Sequence, residues 1–457
     1  MRFFIQTLGC KINQYESQAV REAWEDAGWR ESRQAADAQV VLVHTCAVTA
    51  GAVADSRGAV RRALREAPGA RVLVAGCASQ VEPGPFVELA GRDNVIPQSR
   101  KEGLCALPDG AARPPRAGDW PAFAIRRFKR SRPVLKVQDG CSHGCTYCIV
   151  PRARGGARSR PFAGILDEAR ALLGSGSREL ILSGINLGQF DADGGDFWDM
   201  LARLEAALTP EWAGRARLRL SSLDPGMLGP RALEVLAGSR MVCPHVHISL
   251  QSADEGVLRA MGRGHYGPEG VRRFLEGLRR ENPLAAAGAD LLTGFPGESE
   301  AAFRATLDFV GAAGLCYAHV FPYSRRPGTV AARAPGQLPR EVKKARARAL
   351  REEALRREQD YVARLARAPR LTVALERDDP PSGASEHYVE VRLEGAGAAG
   401  LRPGALVEVR PVRAEGALLL AEPLESPRSR PHGGEADGEA APRVEPPLYE
   451  RPLEKVE

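Results

Sequence analysis

Three cysteines crowd the stretch DGCSHGCTYCIVP, at Cys141, Cys145 and Cys148, with Gly140 and Gly144 beside them. Three thiolates spaced Cys-x-x-x-Cys-x-x-Cys can hold three irons of a [4Fe–4S] cube and leave the fourth iron without a protein ligand. An open iron is a place for a substrate or cofactor to bind. A ferredoxin that only carries electrons closes its cluster with four cysteines and has no such place. Zinc is the alternative. A structural zinc site takes four ligands, commonly from Cys-x-x-Cys pairs, and the fourth here would have to be His143, inside the first gap. A second set of cysteines lies upstream: Cys10, Cys46 and Cys77 each close a strand-like run, FFIQTLGC, VVLVHTC and RVLVAGC. One cysteine at a strand end reads as a small buried residue. The same placement three times reads as a second three-thiolate site. Cys105, Cys243 and Cys316 lack a close second cysteine and read as buried thiols.

These ligands need a scaffold, and the hydrophobic pattern supplies one. Over the first hundred residues the strand-like runs alternate with helical stretches at 14–27 and 50–66, which predicts βαβ units and an open parallel sheet. Ligands of such sheets bind at the carboxyl ends of the strands, so Cys10, Cys46 and Cys77 fall at one edge. The alternation resumes at Val134 and runs to Tyr323. Strands are predicted at 134–138, 179–184, 217–222, 245–250, 288–294 and 318–323, with helices at 163–174, 196–208, 268–280 and 300–313. Six βα units predict a parallel, partly closed barrel, with the Cys141 loop following the first strand at the C-terminal mouth. Gly184, Gly294 and Gly297 follow strands at that mouth, where a missing side chain lets a ligand approach backbone. Ser249, Gln251 and Asp224 stand near strand ends there too. His245 and His247 alternate onto one strand face and read as core packing rather than ligation.

A charged helix over 340–367 carries a thin apolar stripe, Ala347, Leu350, Ala354, Tyr361 and Leu365, suited to docking on the barrel. The period then changes. Short strands at 371–376, 388–394, 405–412 and 416–423, split by Gly and Pro, predict a small antiparallel β-barrel. The expected organisation is an N-terminal domain at 1–106, a Pro/Gly/Arg-rich linker at 107–126, the barrel domain at 127–368, the small β-barrel at 369–424 and a disordered tail at 425–457.

Composition narrows the class. A chain of 457 residues exceeds what one core usually organises. Its 44% hydrophobic and 26% charged content suits a soluble globular protein, and no apolar run approaches the roughly 18–20 residues that span a bilayer. Met1 leads straight into a strand with no signal-peptide pattern, so a cytoplasmic, membrane-free protein is expected. Nine cysteines in such a chain are metal ligands or buried thiols before they are disulfides. The net charge is +7, and the interval Arg126 to Arg160 holds ten Arg or Lys against one acid. That excess suits either an anionic partner such as RNA or a solvated basic face.

The triad loop, the barrel pattern and Tyr147 just before the third cysteine resemble the radical S-adenosylmethionine (SAM) enzymes. The resemblance implies that the open iron takes the amino and carboxyl groups of SAM. One electron then cleaves the sulfonium to a 5′-deoxyadenosyl radical, and Tyr147 packs near the adenine. Taken with Cys10, Cys46 and Cys77 ahead of the barrel, the motifs TLGCKINQYES, TCAVT, QDGCSHGCTYCIVPRARG and GFPGES resemble the methylthiotransferase family over about residues 1–424. Within it, TLGCKINQYES and FPYSRRPGT resemble the branch that modifies N6-threonylcarbamoyladenosine next to the anticodon of tRNA. The branches acting on isopentenyladenosine and on a ribosomal-protein aspartate are the alternatives.

This resemblance implies two [4Fe–4S] clusters and SAM. The cluster on Cys10, Cys46 and Cys77 would bind or supply sulfur that one SAM methylates. A second SAM, at Cys141, Cys145 and Cys148, would remove hydrogen from C2 of the adenine. Gly184, Gly294 and Gly297, with Ser249 and Gln251, are expected to line the SAM or substrate cavity. The terminal barrel, as a TRAM domain, is expected to grip tRNA, and a low-potential donor such as flavodoxin or ferredoxin to feed electrons; the sequence does not identify the sulfur donor. Two positions depart from the family pattern: His44 replaces the usual Asn before Thr-Cys, and Arg152 a common Tyr after the triad. Outside the family, the rivals are a non-catalytic iron–sulfur RNA-binding module and a zinc-stapled structural protein.

Overall fold

The computed structural model describes residues 1–107 and 123–424. The expected tail at 425–457 and most of the expected linker lie outside them. The chain forms two compact units, Met1–Ile125 with Arg152–Arg154, and Arg126–Pro151 with the described chain from Gly155 onward. Among the described residues no helix is long and apolar enough to cross a membrane.

The first unit is an open parallel sheet of β1 (Arg2–Thr7), β2 (Arg30–Glu31), β3 (Val40–Thr45) and β4 (Arg71–Gly76) in the order β2-β1-β3-β4. All six residues of β3 are buried, the continuous apolar run expected of a central parallel strand covered on both faces. Its helices are α1 (Lys11–Asp26), α2 (Ala50–Glu66), α3 (Cys77–Val81) and α4 (Pro83–Ala90). Thr49 starts α2 by accepting a hydrogen bond from the Ala52 amide at 3.0 Å, satisfying one of the unpaired donors of the first turn.

The second unit begins with the six predicted strands. β5 (Val134–Lys136), β8 (Glu179–Ser183) and β9 (Arg217–Leu220) form one parallel sheet, and the two-residue strands β6 (Gln138–Asp139) and β7 (Arg158–Ser159) pair beside it. β10 (Ser222–Leu223), β11 (His245–Gln251), β12 (Ala286–Thr293) and β13 (Tyr317–Pro322) form a second parallel sheet. The predicted strand at 217–222 is therefore interrupted at Ser221, where one sheet gives way to the next. The helices are α5 (Val150–Arg154), whose last three residues count with the first unit, α6 (Phe162–Gly174), α7 (Phe197–Trp212), α8 (Pro230–Gly238), α9 (Glu255–Ala260), α10 (Pro268–Glu281), α11 (Glu300–Ala312) and α12 (Arg340–Leu365). α7 runs past its expected end at 208, carrying Pro210 in its last turn. The buried Trp212, flanked by the guanidiniums of Arg178 and Arg215 over its ring, holds that turn in place.

The stripe on α12 is buried as its spacing implied, and Tyr361, Val362 and Leu365 continue into the core of the terminal barrel. That barrel closes from β14 (Leu371–Asp378), β15 (Pro381–Ser385), β16 (Glu390–Leu393), β17 (Leu406–Glu415) and β18 (Leu418–Pro423) in the order β14-β15-β16-β18-β17. One pair, β16 with β18, is parallel. β15, PSGAS, has no apolar alternation, and the sequence pattern does not predict it. It pairs with β14 because Gly383 has no side chain to strike the Ala374 backbone.

A buried charge cluster ties this barrel to the larger one. Glu179 on β8 accepts from Arg217 and Arg219, each at 2.6 Å, and pairs with Arg132 at 3.3 Å. Arg217 and Arg219 then donate onward to the carbonyls of Thr372, Ala384, Ser385 and Glu386 at 2.8–3.1 Å. Burial alone would raise the Glu179 pKa, but Arg219, Arg217 and Arg132 hold it well below the ordinary carboxylate range.

Candidate active site

In the first unit, Cys10 precedes α1, Cys46 follows β3 and Cys77 opens α3 directly after β4. Because β1, β3 and β4 are neighbours, the three cysteines stand side by side at the carboxyl edge, as the strand pattern predicted. Gly9 makes the approach possible. It adopts φ +94°, and a Cβ there would lie 2.8 Å from the Cys46 sulfur. Asn13 laces the loops together, donating to the carbonyls of Leu8 at 2.8 Å and Thr45 at 3.0 Å. Ser56 accepts from the Cys46 amide at 3.1 Å.

A charged network is buried in the same unit. Glu16 pairs with Lys101 at 2.6 Å and Arg154 at 3.0 Å, and Arg154 also donates to Asn13 at 2.6 Å. His44, the departure from the family pattern, fits this network: its Nδ1 meets Ser17 Oγ at 2.9 Å and its Nε2 lies 3.5 Å from Glu16. Burial pushes the His44 pKa down and keeps the ring neutral. Burial also pushes the Cys46 thiol up to about 12 and raises Cys77, while the Arg154 charge pulls both back. Left alone these groups are protonated thiols, so binding iron means releasing protons.

In the second unit, the triad loop is pinned at many points. The Cys141 amide donates to Gly155, the Cys148 amide to Cys145 and the Thr146 amide to Met261, all at 2.9–3.0 Å. The Ser142 amide donates to Gln189 Oε1 at 2.9 Å. Gln138 joins this loop to the one after β8, donating to the Gly140 carbonyl at 2.8 Å and accepting from the amides of Ile185 and Asn186 at 2.9 and 2.8 Å. The sulfurs also receive N–H groups: His143 N at 3.4 Å on Cys141, Val150 N at 3.4 Å on Cys148, and Arg263 at 3.7 Å on Cys145. Burial raises Cys148 to about 11 and lifts Cys145, the latter opposed by Arg263.

This donor set fits an iron–sulfur cluster with an open iron. All six cysteines are free thiols. His143, the fourth ligand a zinc site would need, faces Asn186 Nδ2 at 3.3 Å and His265, with ring centroids 4.8 Å apart.

The other expected site residues occupy defined places. Tyr147 packs on the apolar cluster of Val257, Met261, Leu292, Phe295 and Tyr323. Gly184 lies against Gln138, Gly294 against the Lys343 side chain, and a Cβ on Gly297 would meet open space. Ser249 donates to the Leu223 carbonyl at 3.1 Å. Gln251 ends β11 at φ +66°, a left-handed backbone unusual for a residue with a side chain.

Sequence reasoning passed over Arg263. Besides Cys145, it donates to Asp224 at 3.1 Å, the Ser249 carbonyl at 2.9 Å and Tyr266 at 2.9 Å. Asp224 accepts from His265 and the Gly226 amide, both at 2.9 Å. The one available signal was GRGHYG after α9, which carries no pattern until the chain folds.

Barrel and triad loop define the class: residues 135–310 match the Radical SAM superfamily. Residues 2–96 match a family described as uncharacterized protein family UPF0004. Among solved structures, the SAM methyltransferase TsrM from Kitasatospora setae shares the fold, with a TM-score of 0.56 and 17% identity over 72% of this chain and 77% of that one. Among curated relatives, the threonylcarbamoyladenosine tRNA methylthiotransferase MtaB of Bacillus subtilis (strain 168) is 34% identical over 74% of this chain and 77% of its own. The protein of the same name from Rickettsia prowazekii is 31% identical over 86% and 92%. A tRNA-2-methylthio-N(6)-dimethylallyladenosine synthase from Cereibacter sphaeroides is 34% identical over 90% and 95%. The chain belongs to the radical SAM methylthiotransferase family.

Proposed function

We propose that the protein adds a methylthio group to C2 of N6-threonylcarbamoyladenosine beside the anticodon of tRNA. It would use one [4Fe–4S] cluster on Cys141, Cys145 and Cys148 and a second on Cys10, Cys46 and Cys77. The observation that carries this reading is the pair of three-thiol sites, one at the carboxyl ends of the parallel strands β1, β3 and β4 and the other on the single loop that follows β6. Support for the substrate comes from relatives named for that nucleoside, matched along most of their length.

An aromatic C–H offers polar catalysis neither an acidic proton nor a leaving group, and SAM with the clusters supplies the one-electron chemistry that such a bond requires. The chain's own residues bind and orient. Arg263 and Asn186 place N–H groups at the triad sulfurs, and Gln138 fixes the loop that carries them. Tyr147 takes the adenine of SAM, while Gly184, Gly294, Gly297, Ser249 and Gln251 line the SAM or substrate cavity. The terminal barrel grips the tRNA, and a low-potential donor such as flavodoxin or ferredoxin reduces the clusters. A tRNA substrate places the reaction in the cytoplasm.

A second reading, with isopentenyladenosine as the target, is favoured by the extent of the match to the Cereibacter synthase. Nucleoside mass spectrometry of tRNA from a deletion strain separates the two. Loss of 2-methylthio-N6-threonylcarbamoyladenosine, restored by the gene, is the expected result. Loss of the 2-methylthio isopentenyl form would select the second reading, and unchanged levels of both would overturn the assignment.

A further inference from the structure

The inner faces of β11, β12 and β13 carry a cluster that neither cysteine site uses. His247, on β11, places Nε2 3.0 Å from Oδ1 of Asp290, on β12. His319, on the neighbouring strand β13, places Nδ1 3.4 Å from the same oxygen. All three donor atoms lie within 4.8 Å of one another. A tetrahedral ion with bonds of about 2.0–2.2 Å separates its ligand atoms by roughly 3.3–3.6 Å, close to this spacing.

The state of His247 points the same way. The residue is 6% exposed, and despite its distance from Asp290 its Nε2 makes no hydrogen bond of acceptable geometry among the described residues. A buried nitrogen left so is costly unless something else fills its direction. Its other nitrogen, Nδ1, meets the Tyr317 hydroxyl at 2.9 Å, the outer partner that a ligating imidazole commonly has. The tyrosine ring fits there because residue 288, opposite it on β12, is glycine. Ser222 Oγ stands 3.5 Å from the second carboxylate oxygen, and the His319 side chain is 40% exposed at the last strand of its sheet, giving an ion a path in.

We propose that His247, Asp290 and His319 form a mononuclear site for a divalent first-row transition ion, with its remaining coordination position facing the barrel interior. Two imidazoles and one carboxylate suit zinc(II), which such ligands hold more tightly than iron(II), and leave room for a further ligand. The site is independent of which nucleoside is modified.

The test uses the full chain with its cysteines first loaded anaerobically with iron and sulfide, then dialysed against zinc(II) and desalted. About one zinc per chain should remain, with only nitrogen and oxygen ligands at about 2.0–2.1 Å by X-ray absorption. Iron content should be unchanged. Asp290→Asn, which preserves shape, and His319→Gln, at the partly exposed edge, should each weaken zinc retention at least tenfold. If Asp290→Asn also loses iron, His319→Gln decides. No zinc on the native chain, sulfur in the zinc ligand shell, or equal retention by the His319→Gln variant would overturn the proposal.

Discussion

Arg263 is where the charges at the barrel mouth meet. One guanidinium touches Cys145, Asp224, Tyr266 and the backbone of β11. A cation at a ligating sulfur favours electron-rich iron, so its loss should lower the midpoint potential of the cluster proposed for Cys141, Cys145 and Cys148. Arg263→Gln is expected to slow SAM cleavage by about 10–100-fold, the usual cost of removing an outer partner of a metal ligand, and to shift the potential downward in an anaerobic redox titration. An unchanged potential would reduce Arg263 to a packing residue. At this scale the sequence is most informative where the proposed ligands are local. Cys141, Cys145 and Cys148 share one loop, and Cys10, Cys46 and Cys77 share one position relative to three strands, so spacing alone groups them. Arg263, Asn186 and His265 come from separate loops that only the barrel brings together. The alternation of His245 and His247 onto one strand face suits core packing. They are buried, yet both meet the Tyr317 hydroxyl, and His247 Nε2 stands 3.0 Å from Asp290 Oδ1, on a polar inner face.

Among the elements, β8 and β9 show why a legible strand can hide its purpose. RLRL alternates as a strand should, and charged residues in such a pattern normally face water. Here Arg217 and Arg219 point inward onto Glu179 and hold the terminal barrel by its carbonyls. Removing one partner of a buried charge cluster leaves the others uncompensated, so Glu179→Gln should cost about 3–5 kcal/mol in urea unfolding at neutral pH. The sign with pH follows from the depressed carboxylate. Its contribution is fully present above the unfolded value of about 4.3 and is lost as pH falls toward the lower folded value. The gap between native and variant stability should therefore be widest above that pH and narrow below it. A gap that widened in acid would contradict this account. β15 escaped the sequence for a different reason: its pairing rests on what Gly383 lacks, and hydrophobic periodicity cannot register an absent side chain.

For the whole molecule, the order of parts was legible because each changes the period of the apolar pattern: open sheet, barrel, long charged helix, small β-barrel. Net charge was less informative. Within the basic interval 126–160, Arg132, Lys136, Arg154 and Arg160 are engaged by Glu179, Asp139, Glu16 and Glu168, so much of that excess serves the fold rather than a polyanion. Each unit carries one set of three thiols, and the account rests on both being filled. Counting iron and sulfide after anaerobic reconstitution tests this most directly. The native chain should hold about eight irons, and Cys46→Ala or Cys145→Ala about four each, with SAM cleavage surviving only in Cys46→Ala. About four irons on the native chain, unchanged by Cys46→Ala, would contradict the two-cluster account.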